Sequence, residues 1–380
     1  MSHPLPRRAH LSLVRFFAEA RRRSPDGEVV SGHHNINRIA ALRQPLAFLL
    51  RKPSGRHLAK FRTPFPTIEV VPRIWSSEAQ VLRALEPHVS GVPRCLADFG
   101  EWSLHEYIDG QALADAVPQG PIGSERLMAL AQFFADLADV TENELPPLPP
   151  DWPRQDDSRG FLEWIARFAR DRVHHANQPR FGALFEAIGI PEDAIDRFMS
   201  SVPVLTPRPF VLLHTDVHRA NVVVVPAPEG ERREGLSVID WELCLFGDPL
   251  HDVATHLVRM GYDKAEQELM VRMWTDAMRR SGHEAATAGM ETDLPVYLGF
   301  EYAQSVFPDV MRAALLLPDH PGERDLGLAA ERVRRALQRA REPLGLLDEV
   351  GDEQAVVDAL REWDTADAER RLLRAGGRSG

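Results

Sequence analysis

One segment, residues 209–254, restricts the fold of this chain more than any other part of the sequence. PFVLL (209–213) reads as a short buried strand, whereas VVVV (222–225) and LSVI (236–239) read as two apolar strands joined by a turn rich in glycine and charge. The polar stretch HTDVHRAN (214–221) lies between the first strand and this pair. The segment therefore predicts a tight polar loop between a buried strand and a β-hairpin.

Three polar side chains are expected at one end of this hairpin. Asn221 directly precedes the first hairpin strand and Asp240 directly follows the second, so pairing of the strands brings these two residues together. Asp216 lies on the loop that feeds the same edge. Two carboxylates and a carboxamide suit a hard cation such as Mg²⁺ and leave a carboxylate to orient a hydroxyl. A single loop aspartate is more often a turn former, but the combination indicates phosphoryl transfer.

The rest of the chain divides into a front rich in strand patterns and a back rich in helix patterns. Strands are predicted in the front on both sides of the polar loop 31–35 (SGHHN), at 56–62, at 67–75 and around Gly100. Helices are predicted at 123–140, 158–177, 181–200, 249–282 with a break and 294–317, followed by two charged helical patterns. Asp248-Pro249 predicts one helix start, with the aspartate as N-cap. The overall pattern indicates an α+β fold.

Composition excludes several classes of protein. A formal net charge of -11 argues against a nucleic-acid-binding protein that depends on bulk electrostatics. No stretch approaches about 18 consecutive apolar residues, so no contact with a membrane is expected. Cys95 and Cys244 are the only cysteines, too few for a disulfide framework, which favours a cytoplasmic location. The arginine-flanked residues 11–17 are interpreted as part of an amphipathic helix, with an organelle transit peptide as the alternative.

Three stretches of the sequence closely resemble the aminoglycoside phosphotransferase and choline kinase group, the small-molecule relatives of protein kinases. They are HTDVHRAN (214–221), IDWE (239–242) and GDPLHDVA (247–254). The front half agrees, with GEVVSGHHNIN, a helix glutamate at Glu78 and YIDGQAL. The resemblance covers about three quarters of the chain, from about residue 28 to 315, and looks closest to actinobacterial antibiotic phosphotransferases.

The resemblance implies a two-lobed, protein-kinase-like fold. Residues 1–109 would form a small N-terminal lobe that binds the nucleotide, with an antiparallel sheet and one crossing helix. Residues 110–380 would form a large, mostly helical C-terminal lobe that holds the acceptor site. Residues 214–221 would be the catalytic loop, and residues 239–242 the metal-binding segment.

The resemblance also implies a role for each residue of these motifs. Asp216 would orient the acceptor hydroxyl and accept its proton. Asn221 and Asp240 would hold Mg²⁺ against the nucleotide phosphates. His214 would brace the catalytic loop, and Asp248 would support that loop from its helix cap. Asp252 matches the family pattern, but the sequence alone offers no physical account of it.

The expected phosphate loop departs from that of protein kinases. SGHHN holds one glycine, so phosphate contact would fall to backbone N–H groups and to Ser31 or Asn35. Tyr107 and Ile108 would offer backbone groups to a purine at the junction of the lobes.

The cation for the phosphates is also unusual, because no lysine of the VAIK type is visible. Arg73, just before the Glu78 helix, is the first candidate, with Lys60 and Arg62 as rivals. Arginine would supply a bidentate grip where lysine supplies a point charge. A purely structural pairing of Arg73 with Glu78 is the alternative.

Other sequence features have simpler interpretations. The histidine pairs 33–34 and 174–175 are interpreted as surface or loop residues, because nothing pairs with them at metal-ligand spacing. The arginine-rich pattern ERVRRALQRAR (331–341) is interpreted as a solvated helix face rather than a partner site. Acidic candidates for the acceptor site are Glu242, Asp293, Glu301 and Asp309.

The sequence thus favours a Mg²⁺-dependent kinase that moves the γ-phosphoryl group of ATP or GTP to a hydroxyl of a small molecule. The preferred acceptor is an antibiotic or related natural product, which would confer resistance. The alternatives are a metabolite kinase for choline, a sugar or an amino alcohol, and a nucleotide-binding scaffold without catalysis. Asp216, Asn221 and Asp240 are all intact, which argues against the scaffold. Asp240-Trp241-Glu242 in place of DFG argues against a protein kinase.

Overall fold

The computed structural model of the chain describes residues 7–31, 35–55, 57–64, 68–227, 234–346 and 351–376. The elements of its N-terminal part are α1 (Arg7–Arg22), β1 (Glu28–Ser31), β2 (Asn35–Ala41), α2 (Leu46–Leu49), β3 (Leu58–Pro64), α3 (Glu78–Leu85), β4 (Cys95–Asp98) and β5 (Ser103–Glu106). The five strands form one antiparallel sheet in the order β1-β2-β3-β5-β4. Val14 and Ala18 of α1 pack into a core with Phe61 and Trp102 of this sheet region, as an amphipathic helix should.

The predicted strand at 67–75 is wrong for residues 68–75, which have no regular secondary structure. Pro72 lacks the N–H that a sheet ladder needs, and β3 already pairs with β2 on one side and β5 on the other. The apolar residues of this stretch serve packing instead. Ile68, Val70 and Ile74 pack against the core of the C-terminal part, and the Trp75 Nε1 donates to the Pro146 carbonyl at 3.0 Å.

The C-terminal part consists mainly of helices around two small sheets. Its elements are β6 (Gln111–Ala112), α4 (Leu113–Ala116), α5 (Ser124–Leu137), α6 (Ser158–Phe168), α7 (Ala176–Ala187), α8 (Ala194–Ser201), β7 (Val211–Leu213), β8 (Val222–Val225), β9 (Gly235–Val238), β10 (Leu245–Gly247), α9 (Pro249–Met260), α10 (Lys264–Arg280), α11 (Met290–Leu315), α12 (Glu323–Leu344) and α13 (Glu353–Gly376). β8 and β9 pair in antiparallel register, Val222 opposite Val238, which confirms the predicted hairpin. β6 joins the hairpin beside β8, and β7 pairs with β10. The predicted division at residues 109 and 110 falls between β5 and β6.

The helices around residue 175 differ from the prediction. α6 continues through a π-helical segment, Ala169–His175, directly into α7. His174 lies fully buried in this segment and stacks on Phe307 with ring centroids 4.4 Å apart, so its interpretation as a surface or loop residue is wrong. Residues 33 and 34 lie outside the described residues. The helix predicted at 181–200 is interrupted after Ala187, where Gly189 adopts a positive φ of 80°.

The last three helices pack in sequence, with α11 against α12 and α12 against α13. α13 also docks on α7, where Trp363 stacks on Phe181 with ring centroids 5.3 Å apart. Arg180 of α7 binds Asp367 of α13 through two hydrogen bonds of 2.9 and 2.8 Å. None of the helices in the described parts of the chain is long and apolar enough to cross a membrane.

Candidate active site

The predicted catalytic loop, residues 214–221, is fixed to α9 by Asp252. This carboxylate is buried in the first turn of α9 and accepts hydrogen bonds from the backbone N–H groups of His214 and Thr215, both at 2.8 Å. Thr215 has a positive φ of 61°, an uncommon backbone conformation that these bonds hold. Burial raises the pKa of Asp252 to about 7, while the two N–H donors lower it. The sequence offered only a family pattern for Asp252. In the structure, Asp252 fixes the backbone of the first two residues of the loop.

His214 connects the loop to the end of the hairpin. Its Nδ1 accepts from the backbone N–H of Asp216 at 3.2 Å, so its Nε2 is the atom that donates to the Ile239 carbonyl at 3.2 Å. Burial lowers the pKa of His214 to about 4, which keeps the ring neutral in this role. The ring thereby joins the catalytic loop to the residue before Asp240.

Asp216 and Asn221 face each other across the loop. The Asn221 Nδ2 donates to the Asp216 Oδ2 at 2.9 Å and to the Asp216 carbonyl at 3.0 Å. The backbone carbonyl of Asn221 accepts from the Ile239 N–H at 2.9 Å. As the sequence predicted, the hairpin therefore brings Asn221 beside the residue that leads into Asp240, with Asp216 on the other side.

Asp216 also belongs to what we call the Arg259 cluster, which comprises Asp216, Arg259 and Glu301. The Arg259 Nη1 donates to the Asp216 Oδ1, and its Nε donates to Oε1 of the buried Glu301 at 3.2 Å. His218 lies 3.5 Å from the same Asp216 oxygen. Burial alone would raise the pKa of Asp216, but His218 and Arg259 hold it below its usual value. Asp216 is therefore ionised throughout the neutral pH range.

Asp240 follows Ile239, the residue that binds the Asn221 carbonyl, and has a left-handed conformation with φ 74°. Its Oδ1 accepts from Nη2 of Arg62, and its side chain is 34% exposed. Burial works against ionisation, yet Arg62 and Lys60 lower the pKa of Asp240 to about 2. The site thus carries two ionised carboxylates, Asp216 and Asp240.

Arg62 is the centre of a second group, the Arg62 cluster, which comprises Arg62, Glu78, Asp240 and Glu242. Its Nε lies 3.0 Å from the Glu78 Oε2, and its Nη2 lies 3.2 Å from the Glu242 Oε2. Burial would lower the pKa of Arg62, but the three carboxylates raise it above its usual value. Glu78 also accepts from the Trp241 N–H at 3.0 Å. The cluster therefore joins β3 and α3 to the end of the hairpin.

The alternative pairing of Arg73 with Glu78 is wrong, because Glu78 is bound by Arg62. Arg73 lies against Glu242 instead, with Nη2 3.3 Å from Oε2. Asn35 donates to the same Glu242 oxygen at 2.6 Å. Glu242 is thus held by residues of the N-terminal part, and its place in an acceptor site stays a prediction.

The other predicted nucleotide-binding residues lie around this group. Ser31 ends β1, and the loop residues 32–34 fall outside the described parts of the chain. Tyr107 and Ile108 are half-buried in the connection between β5 and β6, where the Tyr107 N–H lies 3.4 Å from the Leu58 carbonyl. Lys60 precedes Arg62 by two residues and therefore lies on the same face of β3.

Asp248 caps α9 as predicted and accepts from the Leu250 N–H at 2.9 Å. Arg208, which sequence reasoning missed, is fully buried between Asp248 and Asp293, at 2.7 and 2.6 Å respectively. Asp293, predicted as an acceptor-site candidate, is therefore occupied in a buried ion pair. Sequence reasoning missed Arg208 because it belongs to no motif and lies far along the chain from both of its partners.

The residues present fit a magnesium ion. The Asn221 Nδ2 is turned toward Asp216, so its carboxamide oxygen is the end directed away from that carboxylate. Asp240 supplies a second hard oxygen donor, with Oδ1 bound to Arg62. No group of three or more His, Cys, Asp or Glu that could hold a metal occurs among the described residues. Because Mg²⁺ usually binds one or two carboxylates together with water and substrate phosphates, this small donor set is sufficient.

The N-terminal part is rich in strands and contains the buried Arg62–Glu78 pair, and the helical C-terminal part contains the loop 214–221. This combination is typical of small-molecule kinases with a protein-kinase-like fold. The sequence profile described as "Phosphotransferase enzyme family" (APH) matches residues 36–289. The chain belongs to this family. The predicted recognition, and with it the prediction of a small-molecule kinase, is confirmed.

Solved structures support the fold. An ethanolamine kinase from Plasmodium vivax superposes with a TM-score of 0.54 at 13% identity, covering 91% of this chain and 89% of that one. A putative aminoglycoside phosphotransferase from Ralstonia eutropha gives a TM-score of 0.51 at 14% identity, covering 92% and 98%. A comparison with curated protein sequences finds no significant match. The predicted two-lobed fold is confirmed, while closeness to actinobacterial members stays a prediction.

Proposed function

We propose that this protein is a Mg²⁺-dependent O-phosphotransferase that moves the γ-phosphoryl group of ATP or GTP to a hydroxyl of a small molecule. One observation carries the proposal. The side chain of Asn221 bonds to Asp216, the candidate base, and its backbone carbonyl bonds to Ile239, the residue before Asp240. Asn221 thus lies next to the candidate base and to the segment that holds a candidate metal ligand. Phosphoryl transfer requires this adjacency, because the acceptor hydroxyl and the phosphates must meet in line.

The nucleotide would bind between the two lobes. Asn221 and Asp240 would hold Mg²⁺, which neutralises phosphate charge when bound. Arg62 is engaged by three carboxylates, so Lys60 and Arg73 are better placed to bind the phosphates directly. Lys60 has no salt bridge among the described residues, and Arg73 is only partly buried against Glu242.

Further nucleotide contacts follow the sequence-based assignment. Ser31, Asn35 and their loop would contact the phosphates, and the Tyr107–Ile108 backbone would contact the purine. Glu78 would act through Arg62, which it holds at 3.0 Å.

Asp216 would act mainly by orienting the acceptor. Its lowered pKa makes it a weak base, so it holds the hydroxyl by accepting a hydrogen bond. As the hydroxyl oxygen forms its bond to the γ-phosphorus, the bond from that phosphorus to the β,γ-bridging oxygen breaks and the nucleoside diphosphate leaves. The hydroxyl becomes strongly acidic during this step, and its proton passes to Asp216. His214 and Asp248 would hold the loop in place for this transfer.

The acceptor we prefer is an antibiotic or related natural product, with a metabolite kinase as the second candidate. Family membership supports both, since one catalytic loop serves many acceptors. A scaffold without catalysis is disfavoured by the intact Asp216, Asn221 and Asp240 set. Both cysteines are free, which supports the proposed cytoplasmic location.

The test is mass spectrometry of a panel of hydroxylated antibiotics and metabolites after incubation with the protein, Mg²⁺ and ATP or GTP. Asp216→Ala is the control, and nucleotide binding to both proteins is measured in parallel. Gain of one phosphoryl group on one compound, absent with the control, supports the proposal. Nucleotide turnover that proceeds equally in Asp216→Ala would refute the role given to Asp216.

A further inference from the structure

An open groove of about 480 Å³ lies between α11 and α12, outside the site described above, and most of the side chains that line it are exposed. Its volume would accommodate a small molecule, since ligand sites occupy about 300–1,000 Å³. We call it the arginine pocket because four of its lining residues are arginines. The lining residues that carry the argument are Asp309, Arg312, Leu316, Arg332, Arg335 and Arg339.

The positive charge of the arginine pocket is only partly compensated. Asp309 is the single acidic lining residue, and it lies 3.2 Å from Arg312 and 3.7 Å from Arg339. Within the described residues, the one ion pair of the Arg335 guanidinium is with Glu331 of its own helix, at 3.5 Å. Arg332 has no ion-pair partner in the described parts of the chain. A chain with a formal net charge of -11 therefore concentrates cations in one groove, which favours an anion there.

The groove and the Arg259 cluster share one face of α11. Glu301, Asp309, Arg312 and Leu316 fall within about 80° of one another around this helix, because an α-helix turns by about 100° per residue. Asp309 lies on the order of 12 Å along the axis from Glu301. The charges of Arg259 and Glu301 reach the Asp309 carboxyl. Asp309, the edge of the pocket nearest the site, is thus separated by about two turns of α11 from the Glu301 that binds Arg259, and Arg259 in turn contacts Asp216.

The chemistry of the pocket suits an organic anion. Guanidinium groups bind carboxylates and phosphates through paired hydrogen bonds. Ala313 and the exposed Leu316 add apolar surface between the arginines. A polycation would be repelled by the same residues. This part of α11 and all of α12 lie beyond residues 36–289, so the family match does not account for the pocket.

We propose that the arginine pocket binds the negatively charged group of the acceptor, which is therefore a hydroxylated small molecule that bears a carboxylate, sulfate or phosphate. The acceptor class rests on the proposed function, whereas anion binding by the pocket does not. The arginine-rich helix face is exposed, in agreement with its interpretation from sequence as solvated, and the proposal gives that face a role in specificity.

The experiment has a binding arm that needs no activity. Inorganic phosphate is titrated calorimetrically into the wild-type protein, into Arg332→Gln/Arg335→Gln and into Arg272→Gln/Arg280→Gln. The last variant removes the same charge from exposed positions of α10, outside the pocket. We expect phosphate affinity to fall by about tenfold or more in the pocket variant only, as for loss of charge-assisted hydrogen bonds. Equal affinity in the three proteins would overturn the proposal.

The second arm measures turnover with hydroxylated acceptors matched in size but carrying a carboxylate, a phosphate, no charge or several amines. We expect an anionic acceptor to be preferred, with its KM raised about tenfold in the pocket variant and kcat nearly unchanged. A best acceptor that is polycationic, or a KM unaffected by the pocket variant, would overturn the acceptor assignment. Selective phosphate binding without turnover of any compound would uphold the pocket and refute the proposed function instead.

Discussion

The Arg62 and Arg259 clusters each place one guanidinium against a carboxylate of the site, but they differ in burial. The Arg62 side chain is 5% exposed and is shared by three carboxylates. The Arg259 side chain is 29% exposed and is shared by two. A desolvated ion pair is costly to rearrange, whereas a partly hydrated one adjusts at low cost. We infer that the Arg62 cluster fixes the geometry of the nucleotide side, while the Arg259 cluster can adapt to an acceptor.

The two clusters also differ in which elements they join. Arg62 on β3 binds a residue of α3 and two residues that follow the hairpin, so it connects the two lobes. Arg259 on α9 binds the catalytic loop and α11, which belong to the same lobe. Damage to the first cluster should therefore affect folding, and damage to the second should affect turnover.

The largest expected effect comes from the carboxylates themselves. Asp216→Asn should lower kcat by about 10²–10⁴-fold, the usual contribution of a general base, with nucleotide affinity nearly unchanged. Asp240→Asn should lower both turnover and the affinity for the Mg²⁺–nucleotide complex, because it removes a proposed ligand. Calorimetric titration of nucleotide with and without Mg²⁺ separates the two variants. Identical loss of nucleotide affinity in both would show that the two carboxylates do not have distinct roles.

Arg62→Met should have the largest effect on stability. It leaves Glu78, Asp240 and Glu242 without their shared cation, and loss of one partner from a buried ion pair costs about 3–5 kcal/mol. Chemical denaturation with far-UV circular dichroism measures the loss, and Arg62→Lys serves as the variant that keeps the charge. A free energy of unfolding close to that of the wild type would contradict the rigid role of this cluster.

The sequence predicts the part of the site that depends on local chain geometry. Asn221 lies beside Ile239, the residue before Asp240, because a short hairpin lies between them, and Asp248 caps α9 because Asp-Pro favours a helix start. Arg62 and Asp240 are 178 residues apart, so their contact depends on how two lobes pack. No local pattern encodes that packing.

Two errors have the same physical origin. Arg73 precedes Glu78 by five positions, yet the side chain of Arg62 reaches Glu78 from the neighbouring strand. Residues 67–75 were predicted as a strand, but residues 68–75 are irregular and their apolar side chains pack against the core. In both places, contacts between elements distant in sequence outweighed the local sequence.

Arg259→Met should have a smaller effect on stability and a pH-dependent effect on turnover. It leaves the buried Glu301 with Thr255 and Gln304 as donors, so we expect a loss of about 1–3 kcal/mol in the free energy of unfolding. Arg259 also holds the pKa of Asp216 down, so its removal raises that pKa. Protonated Asp216 cannot accept the hydroxyl proton, and the acidic limb of kcat should therefore move to higher pH.

The ratio of variant to wild-type kcat, measured at each pH, cancels the titration of the nucleotide itself. We expect this ratio to fall as the pH decreases, and Arg259→Lys to restore most of it because the positive charge is kept. A ratio independent of pH would mean that Arg259 acts on turnover without acting on Asp216.

The smallest effect is expected from Arg361→Gln, which serves as the reference for the substitutions of Arg62 and Arg259. Arg361 of α13 binds Glu323 of α12 at 2.8 Å, a distance as short as those in the site, but its side chain is 42% exposed. Water solvates both charges before and after the pair forms, so short contact alone adds little. Arg361→Gln should leave the denaturant midpoint and kcat unchanged within measurement error. If Arg361→Gln destabilised the protein as much as Arg259→Met, burial would not be what distinguishes the clusters, and the contrast drawn between Arg62 and Arg259 would fail with it.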